Sequence, residues 1–140
     1  MDVTLGLLAD YANVTGDGKL NVMGIFTDIN APVLPWSHPQ MQLVLEFEAG
    51  AGEWDTQKNI EVKLLDQDAN QLFAIGGSVK VPKGQPGRRV HINSIMVFNN
   101  LQFKAQGDYV FHILIGGETK KEIPLRVNHA PPPQPPAVQP

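Results

Sequence analysis

The feature that most limits what this chain can become is its punctuation: 13 glycines and 12 prolines among 140 residues cut it into segments of strand length. Inside those segments apolar and polar side chains alternate, and a period of two puts every second side chain on one face of a strand. Leu5, Leu7, Ala9 and Tyr11 alternate in this way within Val3 to Val14, and Leu20 to Phe26 forms a second apolar run after Thr15-Gly16-Asp17-Gly18. An Asp-Gly pair between two apolar runs predicts a hairpin, because both residues tolerate the positive φ of a primed turn. Pro32, Pro35 and Pro39 then make Asn30 to Pro39 a loop or crossover.

Further along, Met41, Leu43, Leu45 and Phe47 alternate with Gln42, Glu46 and Glu48, the signature of a strand with one wet face. Ile60, Val62 and Leu64 repeat it after Gly50-Ala51-Gly52-Glu53. Asp66 to Asn70 is a polar turn, Leu72 to Val81 a strand loosened by a bulge at Gly76-Gly77, and Pro82 to Gly87 a loop. Arg88 to Phe98 has apolar residues on both faces (Val90, Ile92, Met96 and Phe98 against Ile95 and Val97), so it is expected to be covered on both sides near its end. Tyr109 to Ile115 and Ile123 to Val127, joined through Gly116-Gly117, complete the pattern. Segments of this kind predict an all-β fold, an antiparallel β-sandwich of about seven to eight strands, immunoglobulin-like in pattern.

Composition agrees with one core. With 42% hydrophobic and 18% charged residues the chain falls in the globular range, and at this length roughly 68% of the unfolded surface can be buried. Six of the eleven residues from Ala130 onward are proline and none is charged, so the sandwich is expected to span 1–128 and a proline-rich disordered tail 129–140.

Absent cysteine removes disulfides, zinc-thiolate sites, iron–sulfur clusters and thiol nucleophiles. A net charge of −3 with scattered basic residues lacks the footprint of a nucleic-acid or anionic-membrane binder. No segment has the apolar length needed to span a bilayer, and Met1 to Leu8 carries Asp2 instead of a basic leader, so a cytoplasmic location is expected.

Motifs for chemistry are sparse. Asp66-Gln67-Asp68-Ala69-Asn70 has the alternate-oxygen spacing of a calcium loop, which makes Asp66, Asp68 and Asn70 the candidate cation ligands. Gln71 and Gly77 stand where that loop needs glycine and a bidentate glutamate, so an ordinary polar turn is the favoured reading. His38, His91, His112 and His129 show no metal-ligand spacing, Ser37, Ser78 and Ser94 lack the setting of a nucleophile elbow, and Gly16-Asp17-Gly18-Lys19 lacks the phosphate-loop spacing. No catalytic residue, cofactor or metal is therefore expected, and the chain is read as not an enzyme.

Trp36 and Trp54 fall in predicted loops, where each either seals an end of the core or offers a flat surface to a sugar or a protein. Pro132, Pro133, Pro135 and Pro136 form overlapping P-x-x-P patterns of the kind aromatic grooves accept.

Leu8-Ala9-Asp10-Tyr11-Ala12-Asn13, Gly18 to Phe26, Ala31-Pro32 and the late residues Phe103, Gly107, Tyr109 and Phe111 resemble a family of small bacterial β-sandwich proteins of unknown function. The resemblance covers residues 3–128 and implies the fold, with no catalytic residues to transfer. Gly107-Asp108-Tyr109 with Phe111 also resembles the tyrosine corner of immunoglobulin-like sandwiches. The leading functional expectation is a non-enzymatic protein-interaction or assembly module with a protein partner, including a homodimer through edge strands. The alternative is a small-ligand or carbohydrate-binding sandwich that uses the two tryptophans at one end.

Overall fold

The structure, a computed structural model, describes residues 1–130. Nine strands follow one another: β1 (Asp2–Val14), β2 (Leu20–Phe26), β3 (Asp28–Ala31), β4 (Trp36–Ala49), β5 (Gln57–Leu65), β6 (Gln71–Lys80), β7 (Val90–Phe103), β8 (Gly107–Ile115) and β9 (Glu118–His129). They form a four-stranded sheet of order β2-β1-β4-β7 and a five-stranded sheet of order β3-β9-β8-β5-β6. All pairs are antiparallel except β3 with β9. The architecture is the expected all-β, immunoglobulin-like sandwich, with one strand more than the alternation suggested.

Each hairpin follows from its turn residues. Between β1 and β2, the Thr15 N–H donates to the Lys19 carbonyl at 2.8 Å and the Gly18 N–H to the Thr15 carbonyl at 2.9 Å. Only Gly18 in that loop has a positive φ, 85°, so the hairpin stands where Asp-Gly predicted it but is not a primed turn. Gly116-Gly117 is the primed one: both residues have positive φ (59° and 82°) and join Ile115 directly to its partner Glu118.

The core lies between the sheets. Leu8, Leu43 and Met96 sit side by side on β1, β4 and β7, and with Met41, Leu45 and Phe47 they meet Leu64, Phe111, Ile113 and Leu125 of the other sheet. Burying a side chain of this size contributes about 1.5–3 kcal/mol. Phe73, Phe98 and Phe111 form one aromatic cluster with centroids 5.3 to 6.3 Å apart. At the start of β8 the Tyr109 hydroxyl donates to the Ala105 carbonyl at 2.6 Å, and the Tyr109 ring meets Phe103 edge-on at 5.0 Å. This is the tyrosine corner the sequence resembled.

Three local expectations need correction. Asn30 to Pro39 is not all loop: β3 ends at Ala31, and β4 begins at Trp36. Pro39 is tolerated inside β4 because β1 stops pairing with it at Ala9↔Gln42, and position 39 makes no rung with β7. Gly76 and Gly77 pair in register with Glu61 and Ile60, and the irregularity between β5 and β6 lies at Leu64/Leu65. Finally, β7 is covered on both faces only in part: on its outward face Ile95 packs with Val44 against Ala12, Leu20 and Val22 of the β1–β2 hairpin, whereas Val97 stays 47% exposed.

Candidate functional site

The two long edge strands, β7 of one sheet and β6 of the other, lie on the same side of the sandwich and form an open seam. Phe73 of β6 packs on Phe98 of β7 and divides the seam. On one side of that contact, Gly76, Gly77, Ser78 and Ser94 are too small to fill the space, and a cavity of about 160 Å³ reaches down to Phe47 and Ile60. On the other side is a cleft of about 510 Å³ lined by Asp66, Phe73, Leu101, Lys104 and Tyr109 among others.

Apolar rows on the outer face of the four-stranded sheet run into the same edge. Leu7, Val44 and Ile95 are cross-strand neighbours on β1, β4 and β7, and the next row joins Ile25, Ala9, Gln42 and Val97 across all four strands. Val97 is 47% exposed. The buried Gln42 belongs there for a specific reason: its Oε1 accepts the Ala12 N–H at 2.9 Å, a group left without a backbone partner where β1 separates from β4. From Val90 to Phe103 there is no Asp, Glu, Lys or Arg, although native edge strands usually carry charge or proline against unwanted pairing.

Hydrogen bonds, foremost from the Asn70 backbone N–H, hold the Asp66 carboxyl below its usual range, while burial pushes the Tyr109 phenol above its own. At neutral pH the first is therefore ionised and the second protonated, and neither is poised to exchange a proton. His38, its ring 6.2 Å from Phe26, is held below the ordinary histidine range by burial. His91 and His112 stand beside Glu46 and Glu122 at 3.1 and 3.7 Å.

The candidate residues read from sequence have separate fates. Asp66 Oδ1 accepts the N–H groups of Asp68 and Asn70 at 2.9 and 2.8 Å, and Oδ2 accepts the Asn70 side-chain amide at 3.2 Å. The carboxylate therefore serves the turn, and no group of three His, Asp or Glu side chains is placed to hold a metal among the described residues. Trp36 opens β4, in a strand instead of a loop, and Trp54 follows the 3-10 turn (Ala51–Glu53) just past the other end of β4. The two indoles lie at opposite ends of a fourteen-residue strand, so they cannot share one binding face. Both Nε1 atoms are buried, and Gly84 covers Trp54. Pro132, Pro133, Pro135 and Pro136 lie outside the described residues. The expected wet face of β4 fails at Gln42 and Val44, which are buried, and Ile95 and Val97 were read as apolar but not as site residues; the charge-free run from Val90 to Phe103 was the available signal.

Against known families, residues 4–128 match DUF6941, a family of unknown function. The chain belongs to this family. The DUF6941 match covers nearly the stretch over which the sequence resemblance ran. No curated protein matches the chain. Among solved structures, this DUF6941 chain is similar to the Pseudomonas fluorescens alkylpurine DNA glycosylase AlkC bound to DNA containing an abasic site analog. The identity is 13%, the TM-score is 0.45, and the likeness covers 73% of this chain and 27% of that one. The DUF6941 chain thus spans about a quarter of the glycosylase's length, and the likeness carries no functional argument. No helix is long and apolar enough to cross a membrane among the described residues.

Proposed function

We propose that this domain is a non-enzymatic, cytoplasmic interaction or assembly module that works by strand addition at its open seam. The observation that carries the reading is β7: fourteen residues, one neighbour, and no Asp, Glu, Lys or Arg. An unpaired edge offers a row of N–H and C=O groups to an incoming strand, and adjacent apolar side chains select its partners. In the cleft beside Phe73, the one lining carboxylate, Asp66, is occupied by its own turn, which supports a binding role over catalysis there.

The test is affinity purification of the full chain from its native host, comparing wild type with Val97→Lys, whose charge lies beside the edge. Proteins captured by the wild type and lost in the variant are expected. Equal capture by both chains would move the interaction surface elsewhere and contradict the edge reading.

One observation favours a second reading, a small-ligand site: the cleft of about 510 Å³ is of ligand size and combines Phe73 and Leu101 with Lys104 and Asp66. It holds neither tryptophan. A fragment screen by thermal shift, repeated on Lys104→Ala, checks it; no stabilising compound would dispose of it.

A further inference from the structure

The open seam calls for a strand, and the rows of side chains that reach it indicate whose. We infer that the strand is β7 of a second copy of this chain, added antiparallel across a two-fold axis near Ile95. This rests on the reading of the domain as an assembly module and names its partner.

Self-complementarity is the first support. In an antiparallel pair centred on Ile95, each Ile95 lies opposite its counterpart, Val97 opposite Asn93, Met96 opposite Ser94, and Phe98 opposite Ile92, so inward residues meet inward residues and no charge meets a charge. The outer row Leu7–Val44–Ile95 then continues into Ile95–Val44–Leu7 of the second copy, one apolar row over the six inner strands of an eight-stranded sheet. An interface across a two-fold axis requires a surface that complements itself, and an uncharged strand meets that requirement.

Size is the second. The regular stretch Val90 to Asn99 is about 33 Å long, and a two-layer edge is about 20 Å deep, giving roughly 650 Å² per copy and about 1,300 Å² in all. That lies within the standard range for stable complexes, about 1,200–2,000 Å². Leu72 and Ile75 of β6, exposed on the same side of the sandwich, widen the apolar contact.

The remaining edges fit less well. β2 exposes Met23 and Ile25 at 63% and 61% but has only seven residues. It is interrupted at Gly24, where φ is 70° and the Asp10 carboxylate fills the space a Cβ would take. β3 has four residues and begins with Asp28. The chain's own proline-rich residues after Ala130 are poor donors for the edge, because proline has no N–H to give.

Sedimentation velocity of the full chain from low micromolar to submillimolar concentration tests the proposal, with Ile95→Lys, Val97→Lys and, on the opposite edge, Ile25→Lys. Wild type and Ile25→Lys are expected to dimerise. Val97→Lys, at an exposed position that folding tolerates, should weaken the dimer by about tenfold or more, and Ile95→Lys should abolish it by setting two lysines face to face. Circular dichroism confirms that each variant is folded; should Ile95→Lys fail to fold, Val97→Lys alone decides. A wild-type monomer at every concentration overturns the proposal, as does a dimer lost only in Ile25→Lys. If a monomeric wild type still captures host proteins that Val97→Lys loses, the edge takes a foreign strand: the second-copy assignment falls, and the reading as an interaction module stands.

Discussion

Replacing Gln42 with methionine isolates a single polar group at the root of the candidate surface. Gln42 is 5% exposed, and its Oε1 is the acceptor for the Ala12 N–H where β1 separates from β4. Methionine nearly conserves the volume and suits the apolar neighbours Ala9 and Val97, so the packing change is small. What remains is a buried N–H without an acceptor, which costs about 1–3 kcal/mol. For a domain of this size that lowers the melting temperature by roughly 3–12 °C. Urea unfolding followed by circular dichroism, with Gln40→Met as the control, measures it; Gln40 makes only an exposed bond to Asn99 and should cost little. A Gln42→Met chain as stable as wild type would refute the account of why this glutamine is buried.

Other expectations are local. Ala69 has a φ of 63° in the turn after Asp66, a region glycine occupies without strain, so Ala69→Gly should raise stability by about 0.5–1 kcal/mol in the same assay. Tyr109→Phe deletes the bond to the Ala105 carbonyl and should cost about 0.5–1.5 kcal/mol with the fold retained by circular dichroism. His38 has a folded pKa below its unfolded one, so the unfolded chain binds more protons, and stability should fall as pH drops below about 6.5. In His38→Gln that part of the slope should vanish, as read by melting temperature between neutral and mildly acidic pH.

Much of the fold was legible in the sequence for a physical reason: strands with one buried face record that face in their spacing. Ile60 to Leu64 and Tyr109 to Ile115 did so, and Met41 to Phe47 recorded its inward face but not the burial of Gln42 and Val44 on the other. β3 escaped because four residues hold only two inward side chains, Ile29 and Ala31, and its parallel partner β9 lies nearly a hundred positions away. The start of β4 was hidden by Pro39, which local chemistry reads as a break and which survives because β1 no longer pairs there. For the candidate surface, both apolar faces of β7 were visible, but not which neighbours the strand would have. Cover on the outward face comes from the β1–β2 hairpin, which reaches Ile95 but leaves Val97 exposed, and spacing within β7 does not record a contact made so far away in sequence. The tryptophans show the same limit: their loop-like surroundings were read correctly at Trp54 alone, and their separation depends on the length of β4.

The most direct test of the central claim is amide hydrogen exchange along β7 as a function of protein concentration. If the seam is a strand-docking edge for a second copy, amides between Val90 and Asn99 that do not face β4 become slow to exchange as concentration rises, while those of β2 stay unchanged. Exchange along β7 that remains fast at every concentration would contradict the account.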